Sequence, residues 1–221
     1  MEDAHLDRLA RLDTCAVSDA LDRLGLSGAT TELHAVARTG LAPLVGHVAT
    51  VQVEPRRDDQ PRPHLGTTAI EAAEPGTVIV VANDGRTDVS SWGGVLSHAA
   101  QQRGVAGVVV DGVCRDVDEA AEIGFTVFSR GSVPVSARGR LVQRSSGEPV
   151  TCAGVEVSPG DCVIADGSGV VFVARADVDR VLDLAERIAE REREMVAAVR
   201  EGRSVVEVMH DGRFDAIETD S

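Results

Sequence analysis

The segment Trp92–Arg130 reads WGGVLSHAAQQRGVAGVVVDGVCRDVDEAAEIGFTVFSR. Helical and strand-like patterns alternate along it, with glycines between them, and apolar runs of this kind indicate buried strands. Alternating helices and strands, followed by a meander of short strands over Val133–Val173, predict a mixed α/β sandwich. The predicted elements are a helix from Gly93-Gly94 to Arg103, a strand over Val105–Val110, a helix over Asp116–Ile123 and a strand over Phe125–Phe128.

The flanking sequence extends this architecture. We predict further helices over His5–Leu12, Thr14–Leu24, Thr67–Ala73, Ala176–Arg200 and Ser204–Met209, and strands over Val45–Val53, Thr77–Ala82, Pro149–Val157, Cys162–Ala165 and Val170–Val173. Polar residues predict loops over Glu54–Pro63 and Asn83–Ser91, and a frayed tail from Asp211. Because no repeat or linker interrupts the chain, we expect residues 1–221 to form one domain.

The composition limits the classes of partner. With 36 acidic and 22 basic residues, the net charge is −14. That charge argues against nucleic-acid binding, and it means that an anionic substrate must be held by local arginines or a metal. No apolar run reaches the roughly twenty residues that cross a bilayer, and the charged start MEDAHLDRLARLD does not resemble a signal peptide. We therefore expect a cytoplasmic protein with no membrane partner.

The turn after the Val105–Val110 strand carries the strongest functional signal. Arg115 offers a planar fork of donors that suits a carboxylate, and Asp116 offers hard oxygens to Mg²⁺ or Mn²⁺. Three alternatives stay open. Asp116 and Glu119 form a D-x-x-E pattern typical of a helix cap, Arg115 suits a surface ion pair, and Asp111 suits its own turn.

Neighbouring residues add weaker signals. The backbone amides of Gly93, Gly94, Val95 and Leu96 open a helix, and such amides can bind an anion. His98, one turn further on, is compatible with an ordinary surface or core histidine as well as with a base. The four cysteines form no zinc pattern; Cys114 lies beside Arg115, where a lowered thiol pKa is conceivable.

Taken together, these motifs resemble the RraA-like family. The resemblance rests on GGVLSHAAQQRGVAGVVVDGVCRDVDEAAEIGFTVFSRG, on TCAVSDALDRLG near the start and on PGDCVIADGSGVVFV near the end, and covers roughly Leu9 to Met209. The family includes class II 4-hydroxy-4-methyl-2-oxoglutarate/4-carboxy-4-hydroxy-2-oxoadipate aldolases and the regulator of ribonuclease E activity A. The resemblance implies an α/β/β/α sandwich like the swivelling phosphohistidine domain, and a homotrimer or homohexamer.

The resemblance also implies roles for individual residues. In the aldolases, the position of Arg115 binds the substrate carboxylate, and that of Asp116 holds the divalent metal, mostly through waters. The Gly94–Leu96 amides would bind the pyruvyl part of a small 2-oxo acid. Glu192 of a neighbouring subunit, or alternatively Glu194, would approach the metal's water shell.

The implied reaction is metal-assisted cleavage of a C–C bond through a pyruvate enolate, in an aldolase or an oxaloacetate decarboxylase. One departure affects it: the family's loop usually reads G-[DE]-L-L, whereas this chain has Gly94 at the acidic position. We therefore expect decarboxylation to be impaired less than aldol cleavage. Two other readings stay open: a non-catalytic regulator that binds a basic protein, and a family member recruited to another enolate-type reaction.

Overall fold

The computed structural model describes residues 2–57 and 62–210. Its helices are α1 (Glu2–Leu9), α2 (Thr14–Arg23), α3 (Thr67–Ala72), α4 (Gly94–Gln102), α5 (Val117–Glu122), α6 (Val178–Arg200) and α7 (Val205–Met209). Its strands are β1 (His34–Ala37), β2 (Leu44–Pro55), β3 (Val78–Ser90), β4 (Gly107–Val113), β5 (Thr126–Ser129), β6 (Leu141–Ser146), β7 (Val150–Cys152), β8 (Val155–Val157), β9 (Cys162–Asp166) and β10 (Gly169–Val173).

Eight strands form one mixed sheet in the order β1-β5-β4-β3-β2-β9-β10, and β6 pairs with the far end of β2. Strands β2 to β5 run parallel to one another, whereas β1, β6, β9 and β10 pair antiparallel. The long strand β2 joins the two parts of the sheet, because its start pairs with β9 and its end pairs with β3 and β6. Strands β7 and β8 form a separate hairpin.

Three apolar cores divide the molecule into layers. One core joins α3, α4 and α5 to one face of β2 to β5, through side chains such as Ile79 and Val108. A second joins α1, α2 and α6 to β9 and β10, through Ile164 and Val171. Between them, side chains such as Phe128 from β5 meet β9, β10 and the hairpin. The curled sheet thus gives the predicted α/β/β/α order of layers, while the likeness to the phosphohistidine domain stays a prediction.

The largest correction concerns Asn83–Ser91, which we predicted to be a loop. β3 continues through it to Ser90, after an irregularity at Asp84 and Gly85, where φ is positive. Beyond it, Arg86 pairs with Gly112 and the strand remains attached to β4. The exposed polar residues of this part resemble a loop in sequence because the strand projects past the core.

Smaller differences are found elsewhere. Strands β1 and β6 were not predicted, the segment Pro149–Val157 is two strands joined by a turn, and α1 ends at Leu9 rather than Leu12. The predicted Glu54–Pro63 loop begins inside β2, and its centre, like the polar tail from Asp211, lies outside the described residues. Among the helices described, none combines the length and apolar character needed to cross a membrane.

Candidate active site

The loop before α4 and the turn before α5 are held together by the backbone. Ser91 N donates to Val113 O at 2.9 Å, and Arg115 N donates to Trp92 O at 3.0 Å. The Trp92 indole donates to Ser97 Oγ at 3.0 Å and stacks on Phe125 beneath the loop. The predicted carboxylate and guanidinium are therefore fixed next to the predicted anion-binding glycines.

Asp116 occupies the N-cap position of α5, but its side chain does not cap that helix, so the side-chain cap expected from D-x-x-E is wrong. Its side chain makes no cap hydrogen bond within α5; instead its Oδ2 accepts a bond from Gly94 N at 2.9 Å. Its backbone is left-handed, with φ 56°, a conformation that aspartate tolerates better than most residues. Arg115 Nε lies 3.3 Å from the same Oδ2, so one carboxylate connects both motifs.

The two consecutive glycines are explained by what lies over them. A Cβ at position 93 would lie 2.9 Å from Asp116 Oδ2 and 3.0 Å from Arg115 Nε, tighter than normal contacts. A Cβ at position 94 would overlap the carboxylate of Glu119, whose Cδ would be 2.6 Å away. Gly93 and Gly94 thus allow three charged side chains to approach the start of α4 closely.

A pocket of about 320 Å³ opens beside this loop. It is lined by Arg115, His64 and Arg138 among others, and none of the described residues that line it is acidic. The Ser91 hydroxyl at the pocket is buried and has no partner within the described chain. The arrangement suits a small anion with more than one negatively charged group.

The predicted amide cradle is partly engaged within the chain. Gly94 N–H is taken by Asp116, and Leu96 N donates to Gly93 O at 3.1 Å, in the first turn of α4. All four residues of the predicted cradle line the pocket, with the Val95 side chain pointing into solvent at 82% exposure. Substrate binding by these amides stays a prediction.

Glu192 lies in a different part of the molecule. It lines a groove between α6 and the α1–α2 connection, with Arg11, Asp13 and Arg200. Desolvation, followed by repulsion from Asp13 and Asp19, raises the pKa of Glu192. Within one chain, the structure does not bring Glu192 to Arg115 and Asp116, and Glu194 is also exposed on α6. Their predicted contribution from a neighbouring subunit stays a prediction.

Asp111 and Cys114 are structural. Asp111 is buried, accepts from Arg130 Nε at 2.7 Å and from Ala153 N at 2.8 Å, and so holds the β7–β8 hairpin against β4 rather than its own turn. Burial raises the pKa of the Cys114 thiol, which is the opposite of the lowered pKa considered from its place beside Arg115.

Sequence reasoning missed the roles of His98 and Glu119 as a pair. His98 Nε2 lies 3.0 Å from Glu119 Oε1, across the contact between α4 and α5. It also missed Arg138 and His64, which reach the pocket from loops distant in the sequence. Spacing along the chain carries no signal for such contacts.

Divalent-metal binding at Asp116 stays a prediction, and a single carboxylate suits only a metal that keeps most of its waters. In the described part of the chain, no three His, Cys, Asp or Glu side chains form a cage for a metal. Mg²⁺ is commonly bound by one or two carboxylates together with waters and substrate oxygens. The side chain of Asp116 is 37% exposed beside the pocket loop, and it fits that mode of binding.

Comparisons with known proteins identify the family. A protein of Halalkalibacterium halodurans named "Putative 4-hydroxy-4-methyl-2-oxoglutarate aldolase" is 29% identical over 190 residues, covering 85% of this chain and 86% of that protein. Protein DlpA of Legionella pneumophila is 27% identical over 206 residues, covering 93% of this chain; the chain spans only 33% of that relative's length.

A solved structure shows the same fold. It is that of Streptomyces coelicolor RraAS2, described as an unusual member of the RNase ES inhibitor RraA protein family. The TM-score is 0.76 at 25% identity, with 90% of this chain and 96% of that chain covered. The RraA-like family profile, described as Aldolase/RraA, matches residues 14–172, which include the whole loop and turn of the site. The chain belongs to the RraA-like family.

Proposed function

We propose that this protein is a divalent-metal-dependent lyase that cleaves a C–C bond of a small 2-oxo acid through a pyruvate enolate. The substrate is of the 4-hydroxy-4-methyl-2-oxoglutarate or oxaloacetate type. The observation that carries the proposal is that Asp116 contacts both Gly94 and Arg115, and that these two residues line a pocket together with Arg138.

Each part of the site has a task in such a reaction. Arg115 binds the carboxylate of the 2-oxo acid, and its fixed charge stabilises the negative charge that develops as the bond breaks. Asp116 holds Mg²⁺ or Mn²⁺, and its bond from Gly94 N fixes the carboxylate in place. When bound, the metal supplies Lewis-acid stabilisation of the enolate oxygen. The buried Ser91 hydroxyl offers a further hydrogen bond to a substrate oxygen.

The complete site would need a second subunit. We infer a trimer or hexamer in which Glu192, or Glu194, of a neighbouring subunit faces the site of Arg115 and Asp116. Supporting this, α6 exposes apolar side chains along its second half, at Val196 and Val199. Homo-oligomers of this kind are closed rings in which one patch of each subunit meets a different patch of the next.

A second candidate is a regulator that binds a basic protein. It is favoured by the net charge of −14 and by the structural likeness to RraAS2. The two candidates differ in what they require of the pocket, because a regulator would act without binding a small 2-oxo acid there.

The deciding experiment uses Mg²⁺ and oxalate, a mimic of the pyruvate enolate. We expect calorimetric titration to show Mg²⁺-dependent oxalate binding, and Arg115→Ala to weaken it about a hundredfold or more, because two charge-assisted hydrogen bonds are lost. Arg144→Ala, an exposed arginine on β6, is the control. Oxalate binding that is absent from the wild type, or unchanged in Arg115→Ala, would favour the regulator.

A further inference from the structure

The space beside Gly94 is filled by a carboxylate from another helix. A side chain at position 94 would begin where the carboxylate of Glu119 lies, and the same glycine donates its amide to Asp116. Glu119 reaches this place because α5 packs against α4. The start of α4 therefore has an acid beside it, although its own sequence supplies none.

His98 fixes that carboxylate. Its Nε2 lies 3.0 Å from Glu119 Oε1, while the other oxygen, Oε2, lies over Gly94. Both side chains are about half exposed, at 52% and 48%, so Glu119 is held in one place and still accessible to a bound molecule. A carboxylate oriented in this way, next to an anion-binding loop, has the arrangement of a general base with its orienting partner.

We propose that Glu119, positioned by His98, is the group that transfers the proton in the aldol cleavage. The inference rests on the proposed function. It changes the expectation, drawn from Gly94, that aldol cleavage is impaired more than decarboxylation. The base that position 94 lacks is supplied from α5, so aldol cleavage is retained.

The proton is conserved through the step. With 4-hydroxy-4-methyl-2-oxoglutarate, Glu119 takes the proton of the C4 hydroxyl and the C4–O bond becomes a carbonyl. The C3–C4 bond breaks, and its electron pair passes into the C2–C3 enolate. The protonated Glu119 then returns the proton to C3, which gives two molecules of pyruvate. Oxaloacetate decarboxylation forms the same enolate without removal of a hydroxyl proton, and water can protonate it.

The test compares the two substrates in Glu119→Gln, with Mg²⁺ present. We expect kcat for aldol cleavage to fall about a hundredfold or more, the usual contribution of a general base, while decarboxylation changes by less than about threefold. Glu122→Gln, an exposed glutamate on the same helix, is the matched control and should change neither. An equal loss on both substrates, or no loss on either, overturns the proposal.

A second variant moves the acid. Gly94→Asp combined with Glu119→Ala places a carboxylate back beside the loop. The φ of residue 94 is not in the left-handed region, and the three atoms nearest to a side chain there belong to the Glu119 carboxylate, which Glu119→Ala removes. We expect the double variant to recover at least about a tenth of the aldol activity that Glu119→Ala alone loses. Oxalate titration checks that each variant keeps its site; in a double variant that binds oxalate normally, no recovery counts against the proposal.

Exchange of pyruvate methyl protons with D₂O separates this inference from the proposed function. A wild type that cleaves neither substrate contradicts the proposed function. Glu119 is still tested, because the exchange needs only removal of a methyl proton, which forms the enolate, and protonation of C3. Exchange that slows about tenfold or more in Glu119→Gln and is unaffected in Glu122→Gln supports the role of Glu119. Exchange that is unchanged by Glu119→Gln, or absent from the wild type, overturns it.

Discussion

Arg115 and Arg138 present two guanidinium groups to one pocket, and they differ in what surrounds them. Arg115 is anchored through its own backbone and lies beside Asp116. Arg138 belongs to an exposed loop and lines the same pocket. We expect a longer dicarboxylate to contact both guanidinium groups, and a short dianion such as oxalate to contact Arg115 alone.

Arg138→Ala therefore tests the selectivity for longer substrates. We expect KM for oxaloacetate to rise about three- to tenfold, the effect of losing one partly exposed ion pair, and oxalate affinity to remain unchanged. Steady-state kinetics and calorimetry measure the two quantities, with Arg144→Ala as the control for charge. A loss of oxalate affinity as large as the rise in KM would contradict a separate role for Arg138.

Individual site residues were predictable only where local sequence determines their place. The strand, the turn and the glycines identified Arg115 and Asp116 correctly as neighbours of the start of α4. The same local rules misread Asp116 as a side-chain cap, because the pattern D-x-x-E cannot show that the backbone turns left-handed there. Glu119 and His98 meet through the packing of two helices, which depends on the whole fold.

At the scale of elements, apolar runs predicted the buried strands well and exposed strands badly. The side chains of Val105–Val110 and Thr77–Ala82 alternate between the first core and the core that contains Phe128. Their β-branched residues indicated this burial on both faces in the sequence. The outer half of β3 and the strands β1 and β6 carry polar residues, and their pairing is determined by partners far along the chain. Their prediction would have required the topology in advance.

Asp166, at the end of β9, connects that strand to the start of α2. It accepts bonds from Thr14 N at 2.9 Å, Thr14 Oγ1 at 2.7 Å and Ser168 N at 2.8 Å. Burial alone would raise the pKa of Asp166, but these bonds outweigh it and lower the pKa. The carboxylate therefore stabilises the fold in its charged form.

Asp166→Asn should lower the free energy of unfolding at pH 7 by about 1–3 kcal/mol, because buried donors lose a charged acceptor. Since the folded pKa lies below the unfolded one, near 3.9, the stabilisation is complete above that value and disappears as the pH falls through the folded pKa. Urea unfolding at pH 7 and below pH 4 should show the difference shrinking. Asp22→Asn, exposed on α2, is the control; an equal difference at both pH values would contradict the assignment.

At the scale of the whole molecule, the features proposed for catalysis are divided between two surfaces. The pocket that Arg115 lines lies at the start of α4, with Asp116 beside Arg115, while Glu192 lies in the groove beside α6. A single chain keeps them apart, and desolvation together with repulsion from Asp13 and Asp19 raises the pKa of Glu192. The proposed catalytic residues would form one site if the pocket of one subunit meets the α6 groove of the next.

Subunit complementation tests that arrangement. Arg115→Ala and Glu192→Gln should each lower lyase activity strongly in their own homo-oligomers, and sedimentation should give three or six subunits for all forms. Co-expression of the two variants should restore activity at about one quarter of the sites, because random pairing unites an intact Arg115 with an intact Glu192 of the neighbour at that frequency. Glu194→Gln in place of Glu192→Gln discriminates between the two glutamates on α6. A site formed within one subunit would show no recovery on mixing, since each variant chain would carry its own defect.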